Sequence, residues 1–321
     1  MSMSTGGPAR QAAPLTSEGR LEVERGYQIA YRVFGTGSRT LLGLHGGPGA
    51  SSRYLDRLAE VVGSDLKLVL YDQLGGGDSD RPDDPTLWQI PRFIAEVETV
   101  RSALDLGVVT LLGQSWGGML ALAYTLDHPQ NVNALVLSNT YANGKDYLLD
   151  ISEHRMALGK DMHALMLKHE HEDDMQAPEY LDAVLELNSR HLRRSSPYER
   201  ERSRREFQEV AAPLMADTGP AYALWGPHEF KGTGPQAFFD ISHRLGEIVV
   251  PALILCGWYD ELSPKRCSRT LADGIADNEF VVFGNSSHIT ILEKEAELYL
   301  ASIRDFLERR VGGGMRDTSH P

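Results

Sequence analysis

The 321-residue sequence predicts an α/β chain with a mostly parallel central sheet, helices on both faces and a late helical insertion. Three observations predict it. Short, mostly apolar runs such as residues 66–71 and 108–112 alternate with amphipathic stretches, the pattern of parallel strands covered on both faces. From Tyr141 to about Ser242 that alternation stops, and the chain becomes charged, Arg-rich and helical in period. It then resumes at Pro251 and continues to Arg309, so one sheet is interrupted by a cap rather than followed by a second domain.

Taken in order, Leu21 to Phe34 alternates as two antiparallel strands meeting near Gly26. Residues 40–44 form a strand ending in a glycine loop, and 54–62 carry helical spacing. A strand at 66–71 precedes a helix at 90–106, where Ile94, Val97 and Arg101 fall three or four apart. Then come a strand at 108–112, a helix at 119–128 closed by Pro129, and a strand at 134–137. Three Gly-Pro pairs, at 219–220, 226–227 and 234–235, break the insertion. Beyond it lie a strand at 251–256, a helix at 265–273, a strand at 280–283 and a last helix at 293–309. The expected organisation is a disordered tail over 1–17, an α/β core over 18–140 and 243–311, a helical cap over 141–242, and a disordered tail over 312–321.

Thirty-two Lys and Arg against 45 Asp and Glu give a net charge of −13, which argues against a nucleic-acid partner. Two scattered cysteines, Cys256 and Cys267, offer neither a disulfide framework nor zinc spacing and read as buried packing residues. The N-terminal stretch lacks the apolar centre of a signal peptide, and no later run is long enough to span a membrane. A cytoplasmic protein is the expectation.

Chemistry enters at Gly113-Gln114-Ser115-Trp116-Gly117. This G-x-S-x-G lies between a strand and a helix, the context in which a serine becomes a nucleophile on a strained turn. The helix N-terminus behind it favours developing negative charge. His45-Gly46-Gly47-Pro48-Gly49 follows the strand at 40–44, where a second oxyanion donor is supplied. The assigned donors are the N–H groups of Trp116 and Gly47, with Gly46 as the alternative and as a substrate contact; His45 reads as structural.

The acid and base follow from chain order. Asp260, in Gly257-Trp258-Tyr259-Asp260, ends the first strand after the insertion, and His288 follows the last strand on a loop. The order Ser115, Asp260, His288 on a strand–helix elbow is that of the α/β-hydrolase fold, with the cap inserted before the triad acid. Ser115 attacks, His288 takes its proton and Asp260 fixes the imidazole tautomer. Asp72 also ends a strand, but its place in the order is wrong and a structural turn is expected there.

These segments, together with Tyr71-Asp72-Gln73, Gly77-Asp78-Ser79, Gly226-Pro227-His228-Glu229-Phe230 and Glu261-Leu262-Ser263-Pro264, resemble the proline iminopeptidases. Those are α/β-hydrolase aminopeptidases that remove one N-terminal residue, and the likeness is greatest to the tricorn-associated branch. It runs from about Leu21 to Arg309 and is strongest in the catalytic core. The resemblance implies that acidic side chains near the cap hold the substrate's α-ammonium group, and Glu229 and Glu261 occupy the matching positions. Carboxylates in a dry pocket suit that task, because an internal peptide bond would leave them unpaired. Without the resemblance, Glu229 reads equally as a surface residue and Glu261 as a helix-start charge.

Trp225 and Trp258, with Tyr222, are candidates to wall an apolar acyl pocket, although aromatics more often belong to a core. His163, His169 and His171 form an acid-rich patch in the cap whose spacing matches no standard metal site. No metal and no cofactor is expected. The partner is a small peptide, an amino-acid amide or an aminoacylated small molecule. A general carboxylesterase with incidental carboxylates, and a hydrolase-fold ligand receptor with little turnover, are the competing readings. Neither needs a free amine on the acyl side, as the aminopeptidase reading does.

Overall fold

The structure is a computed structural model that describes residues 11–146, 148, 155–156, 158–175, 177–191, 219–226 and 232–311. Eight strands form one sheet: β1 (Leu15–Glu22), β2 (Gln28–Phe34), β3 (Arg39–Leu44), β4 (Leu66–Tyr71), β5 (Val109–Gln114), β6 (Val132–Ser138), β7 (Ala252–Gly257) and β8 (Asn278–Phe283). Their spatial order is β1-β2-β4-β3-β5-β6-β7-β8. The pairs β1–β2 and β2–β4 are antiparallel and the others are parallel.

The period of two along these strands divides the core into two layers. Leu42, Val69, Leu111, Leu135 and Ile254 point to one face, and Leu41, Leu68, Leu112, Val136 and Leu253 to the other. The first face packs under α1 (Ile90–Ala103), α2 (Trp116–Asp127) and α6 (Lys265–Gly274). The second packs under a 3-10 helix, Ser52–Val61, and α7 (Ala296–Phe306). Each fully buried aliphatic side chain contributes about 1.5–3 kcal/mol, which is why residues on both faces of the parallel strands are apolar.

The expected elements are present within a few residues, with one correction at the start. β1 begins at Leu15, inside the stretch expected to be a tail. Its residues are mostly polar because β1 is a sheet edge with most side chains exposed, so no apolar pattern marks it. The Thr16 hydroxyl donates to the carbonyls of Val33 and Gly35 and anchors that end.

The insertion leaves and rejoins the core at one place. Asn143 bridges Asp240, the Gly144 N–H donates to Phe239 and the Ile241 N–H donates to Ala142. Within it, α3 (Lys160–His171) packs against α4 (Pro178–His191), and α5 (Pro220–Leu224) follows. Two of the Gly-Pro pairs start helices: Pro220 opens α5, and Pro235 opens the 3-10 turn Pro235–Phe238. Proline fits there because a first helical residue has no intrahelical use for its N–H.

Candidate active site

β5 ends at the centre of the sheet, and its chain turns directly into α2 through Ser115. Ser115 has φ 55° and ψ −125°, a conformation that costs a non-glycine residue roughly 1–3 kcal/mol. Contacts on every side hold it there. Its N–H donates to Ser138 on the neighbouring β6, and its carbonyl accepts from the Thr140 hydroxyl. A Cβ on Gly117 would lie 2.1 Å from the Leu44 carbonyl oxygen, so only glycine lets α2 start this close to β3.

Ser115, His288 and Asp260 meet. His288 Nε2 lies 3.0 Å from Ser115 Oγ, and His288 Nδ1 lies 3.0 and 3.1 Å from the two Asp260 oxygens. An ionised carboxylate only accepts, so Nδ1 carries the proton and Nε2 is free to accept from the serine. Asp260 is 2% exposed, and its remaining acceptor positions are filled by the N–H groups of Leu262 and Ser263 and by Asn139 Nδ2.

The loops carrying acid and base are laced together. The Trp258 N–H donates to Phe283, the Tyr259 N–H to Ser286, and Asn139 Nδ2 to the Ser287 carbonyl. On its far side the His288 loop is gripped by two glutamates ahead of α7. Glu293 accepts from the Ser287 N–H and hydroxyl, and Glu295 from the Asn285 N–H and the Ser286 hydroxyl.

The glycine loop after β3 lies against the elbow. The first N–H of α2, on Trp116, has no intrahelical acceptor by construction, and its position favours an anion. The Gly46 N–H, the alternative second donor, donates instead to the Tyr54 hydroxyl at 2.7 Å. The Gly46 N–H is thus engaged within the protein, and the neighbouring Gly47 has a φ of 120° that belongs to glycine.

His45 is structural, as expected. Its Nε2 accepts from the Gln73 N–H, its Nδ1–H donates to the Gly46 carbonyl, and its own carbonyl accepts from Gln73 Nε2. Burial pushes its pKa down, a tendency only partly opposed by the nearby Asp72 charge. Gln73 Oε1 in turn accepts from the Trp116 indole. Asp72 takes no part in the triad. Burial pushes its carboxyl up, but donation from the Asp78 N–H and from the Ser52 N–H and hydroxyl outweighs this and holds it below the usual range.

The substrate end differs from expectation in part. Glu261, directly after the triad acid, is half-buried. Glu229 lies outside the described residues. Trp225 is buried in the main apolar core, whereas Trp258 is 52% exposed with Lys265 Nζ 3.2 Å above its ring centre. Trp258 is therefore a cation–π partner at the surface, because a ring in water keeps a charged neighbour at little desolvation cost. Tyr222 is also exposed. An apolar groove of about 660 Å³ lies between α1, the last turns of α2 and residues 235–244. Its nearest α2 residue, Ala123, is eight residues from Ser115, or about 12 Å along the helix.

Among the described residues, no cluster of three or more His, Cys, Asp or Glu side chains could hold a metal, and no helix is long and apolar enough to cross a membrane. Both cysteines are free and buried, and burial pushes the Cys256 thiol up to about 12. Asn139, Gln114, Tyr54 and Glu293 were not singled out from the sequence. Only Asn139 carried a signal: an asparagine directly after an apolar strand suits its φ of 48°.

A family model described as alpha/beta hydrolase fold matches residues 39–295. A proline iminopeptidase of Lactobacillus acidophilus is 34% identical over 295 residues, covering 88% of this chain and 95% of that protein. Among solved structures, VinJ superposes with a TM-score of 0.83 at 30% identity, over 92% of this chain and all of the other. Proline iminopeptidase of Mycobacterium smegmatis does so with a TM-score of 0.75 at 27% identity, over 92% and 98%.

Proposed function

The chain belongs to the α/β-hydrolase family and, within it, to the proline iminopeptidases, and on that premise we propose that it removes an N-terminal aminoacyl group from a small peptide or amide. The observation that carries the reading is the continuous chain from Ser115 Oγ through the His288 ring to a saturated Asp260, with contacts of 3.0 Å.

Ser115 Oγ attacks the acyl carbonyl as its proton passes to His288 Nε2. Asp260 holds the imidazole tautomer and stabilises the imidazolium. Negative charge on the carbonyl oxygen falls to the N–H groups of Trp116 and Gly47, donors that contribute about two to three orders of magnitude each. His288 then protonates the departing amine, and water activated by the same nitrogen releases the amino acid from Ser115. No metal or cofactor takes part in this scheme.

Glu261 follows the triad acid immediately, so it adjoins the chemistry by chain geometry. It serves as a partner for the substrate's α-ammonium group, with Glu229 as the second. A proline or another small apolar acyl residue is the proposed side chain.

The test is a panel of proline, alanine, leucine and phenylalanine p-nitroanilides, each beside its N-acetylated form. Cleavage confined to free-amine members is expected. In Glu261→Gln their kcat/KM drops about 10- to 100-fold, the worth of one charge-assisted hydrogen bond. Equal cleavage of blocked and free members would overturn the aminopeptidase reading in favour of a general esterase or amidase.

A further inference from the structure

Tyr54 and Gln114 stand between three parts of the site that come from separate segments. The Gly46 N–H donates to the Tyr54 hydroxyl at 2.7 Å, that hydroxyl donates to Gln114 Oε1 at 2.7 Å, and Gln114 Nε2 donates to the His288 carbonyl at 3.0 Å. The direction of each bond is forced. A backbone amide can only donate, so the Tyr54 oxygen accepts from Gly46 and its one proton goes to Gln114 Oε1. The Gln114 nitrogen then faces His288, whose carbonyl can only accept. Burial pushes the Tyr54 phenol well above its ordinary value, so it keeps that proton. Gln114 is itself buried, and a Cβ on Gly46 would lie 2.6 Å from Gln114 Oε1 and 3.1 Å from Ser115 Cβ. Loop and elbow pack without slack.

We propose that Tyr54 and Gln114 are positioning residues that hold the His288 main chain in register with Ser115 and, by engaging the Gly46 amide, direct oxyanion donation to Gly47. The inference rests on the Ser115–His288–Asp260 mechanism above. Asp260 fixes the imidazole from its Nδ1 side, and Asn139 and Glu293 hold Ser287, but Gln114 alone among these grips the His288 peptide itself. Because Gln114 directly precedes Ser115, its bond ties base to nucleophile within one residue of each. A misplacement of about 1 Å between such groups costs about a hundredfold in rate.

The test compares Gln114→Glu, Tyr54→Phe and the double variant, all near-isosteric, with the unmodified enzyme. Three quantities are read: the rate of Ser115 inactivation by a fluorophosphonate, kcat and KM on one free-amine p-nitroanilide, and the thermal midpoint. Gln114→Glu turns an acceptor toward the His288 carbonyl, so inactivation and kcat should fall about 10- to 100-fold with KM within about twofold. Tyr54→Phe should lower both about three- to tenfold, because Gln114 can still reach His288. The double variant should match Gln114→Glu alone, since both residues act through one chain of bonds. Independent, additive losses would overturn the proposal, as would inactivation and kcat per folded molecule within about twofold of the unmodified enzyme. If Gln114→Glu does not fold, Tyr54→Phe decides, and unmodified rates there overturn it. Fluorophosphonate reaction needs no free amine, so a failure of the aminopeptidase reading in the p-nitroanilide panel leaves this test intact.

Discussion

The triad and the cap both bury polar groups, and they do so by different means. At the triad, partners come largely from the main chain: Asp260 accepts from two backbone amides, Ser115 is pinned to β6, and the two loops exchange backbone bonds. In the cap the partners are side chains. Arg155 pairs with Glu170 at 2.8 Å, with side chains 6% and 11% exposed, and the Tyr180 hydroxyl donates to the same glutamate. His169 lies 3.5 Å from both Asp174 and Glu179. Backbone donors anchored by a sheet hold their positions closely, which a preorganised site needs, whereas the buried side-chain pairs of the cap tie its own segments to one another.

The largest expected effect lies on the core side. Ser115→Ala should lower turnover by about four to six orders of magnitude, with the thermal midpoint changed by no more than about 1 kcal/mol equivalent, because the side chain is a small part of the elbow's contacts. Steady-state rates and calorimetry read both. Turnover retained at more than a hundredth of the original would place the nucleophile elsewhere.

The cap should answer differently. Arg155→Met breaks a buried pair, and such breaks cost up to about 3–5 kcal/mol. A lower thermal midpoint and a KM raised several-fold for aminoacyl substrates are expected, with fluorophosphonate labelling of Ser115 within about twofold. A labelling rate that fell with KM would show that the two regions are one mechanical unit.

The smallest effect concerns pH and His45. Its folded-state pKa is depressed by burial, so its contribution to stability is complete above the ordinary histidine value of about 6.5 and declines below it as the unfolded chain takes up the proton. Below that pH the one proton contributes a slope of at most about 1.4 kcal/mol per pH unit. Denaturant titrations between pH 5 and 7 should show a shallower dependence in His45→Gln. An unchanged slope would mean that His45 is protonated in the folded state, against its accepting bond from the Gln73 N–H.

Most of the fold was legible because parallel strands buried on both faces leave an unmistakable apolar run, as at Leu66–Tyr71. The elbow was legible because a strained turn needs glycines at fixed offsets, and Asp260 and His288 because chain order and loop context leave one choice each. Edge strand β1 was partly missed, since a solvated edge needs no apolar alternation. The exposure of Trp258 beneath Lys265 was not legible, because composition does not tell a core aromatic from one that faces a lysine in water.

The sequence by itself determined the local events: where strands and helices fall, where the chain turns sharply enough to present Ser115, and the order in which acid and base arrive. These follow from side-chain periodicity and backbone sterics over a few residues. Tertiary structure alone decided the pairings: Asn139 with Asp260, Gln114 with His288, Gly46 with Tyr54. Placing β3, β5, β6, β7 and β8 side by side brings their C-terminal ends together, so that Asn139 and Asp260, 121 positions apart, and Gln114 and His288, 174 apart, share donors and acceptors that no local pattern can specify.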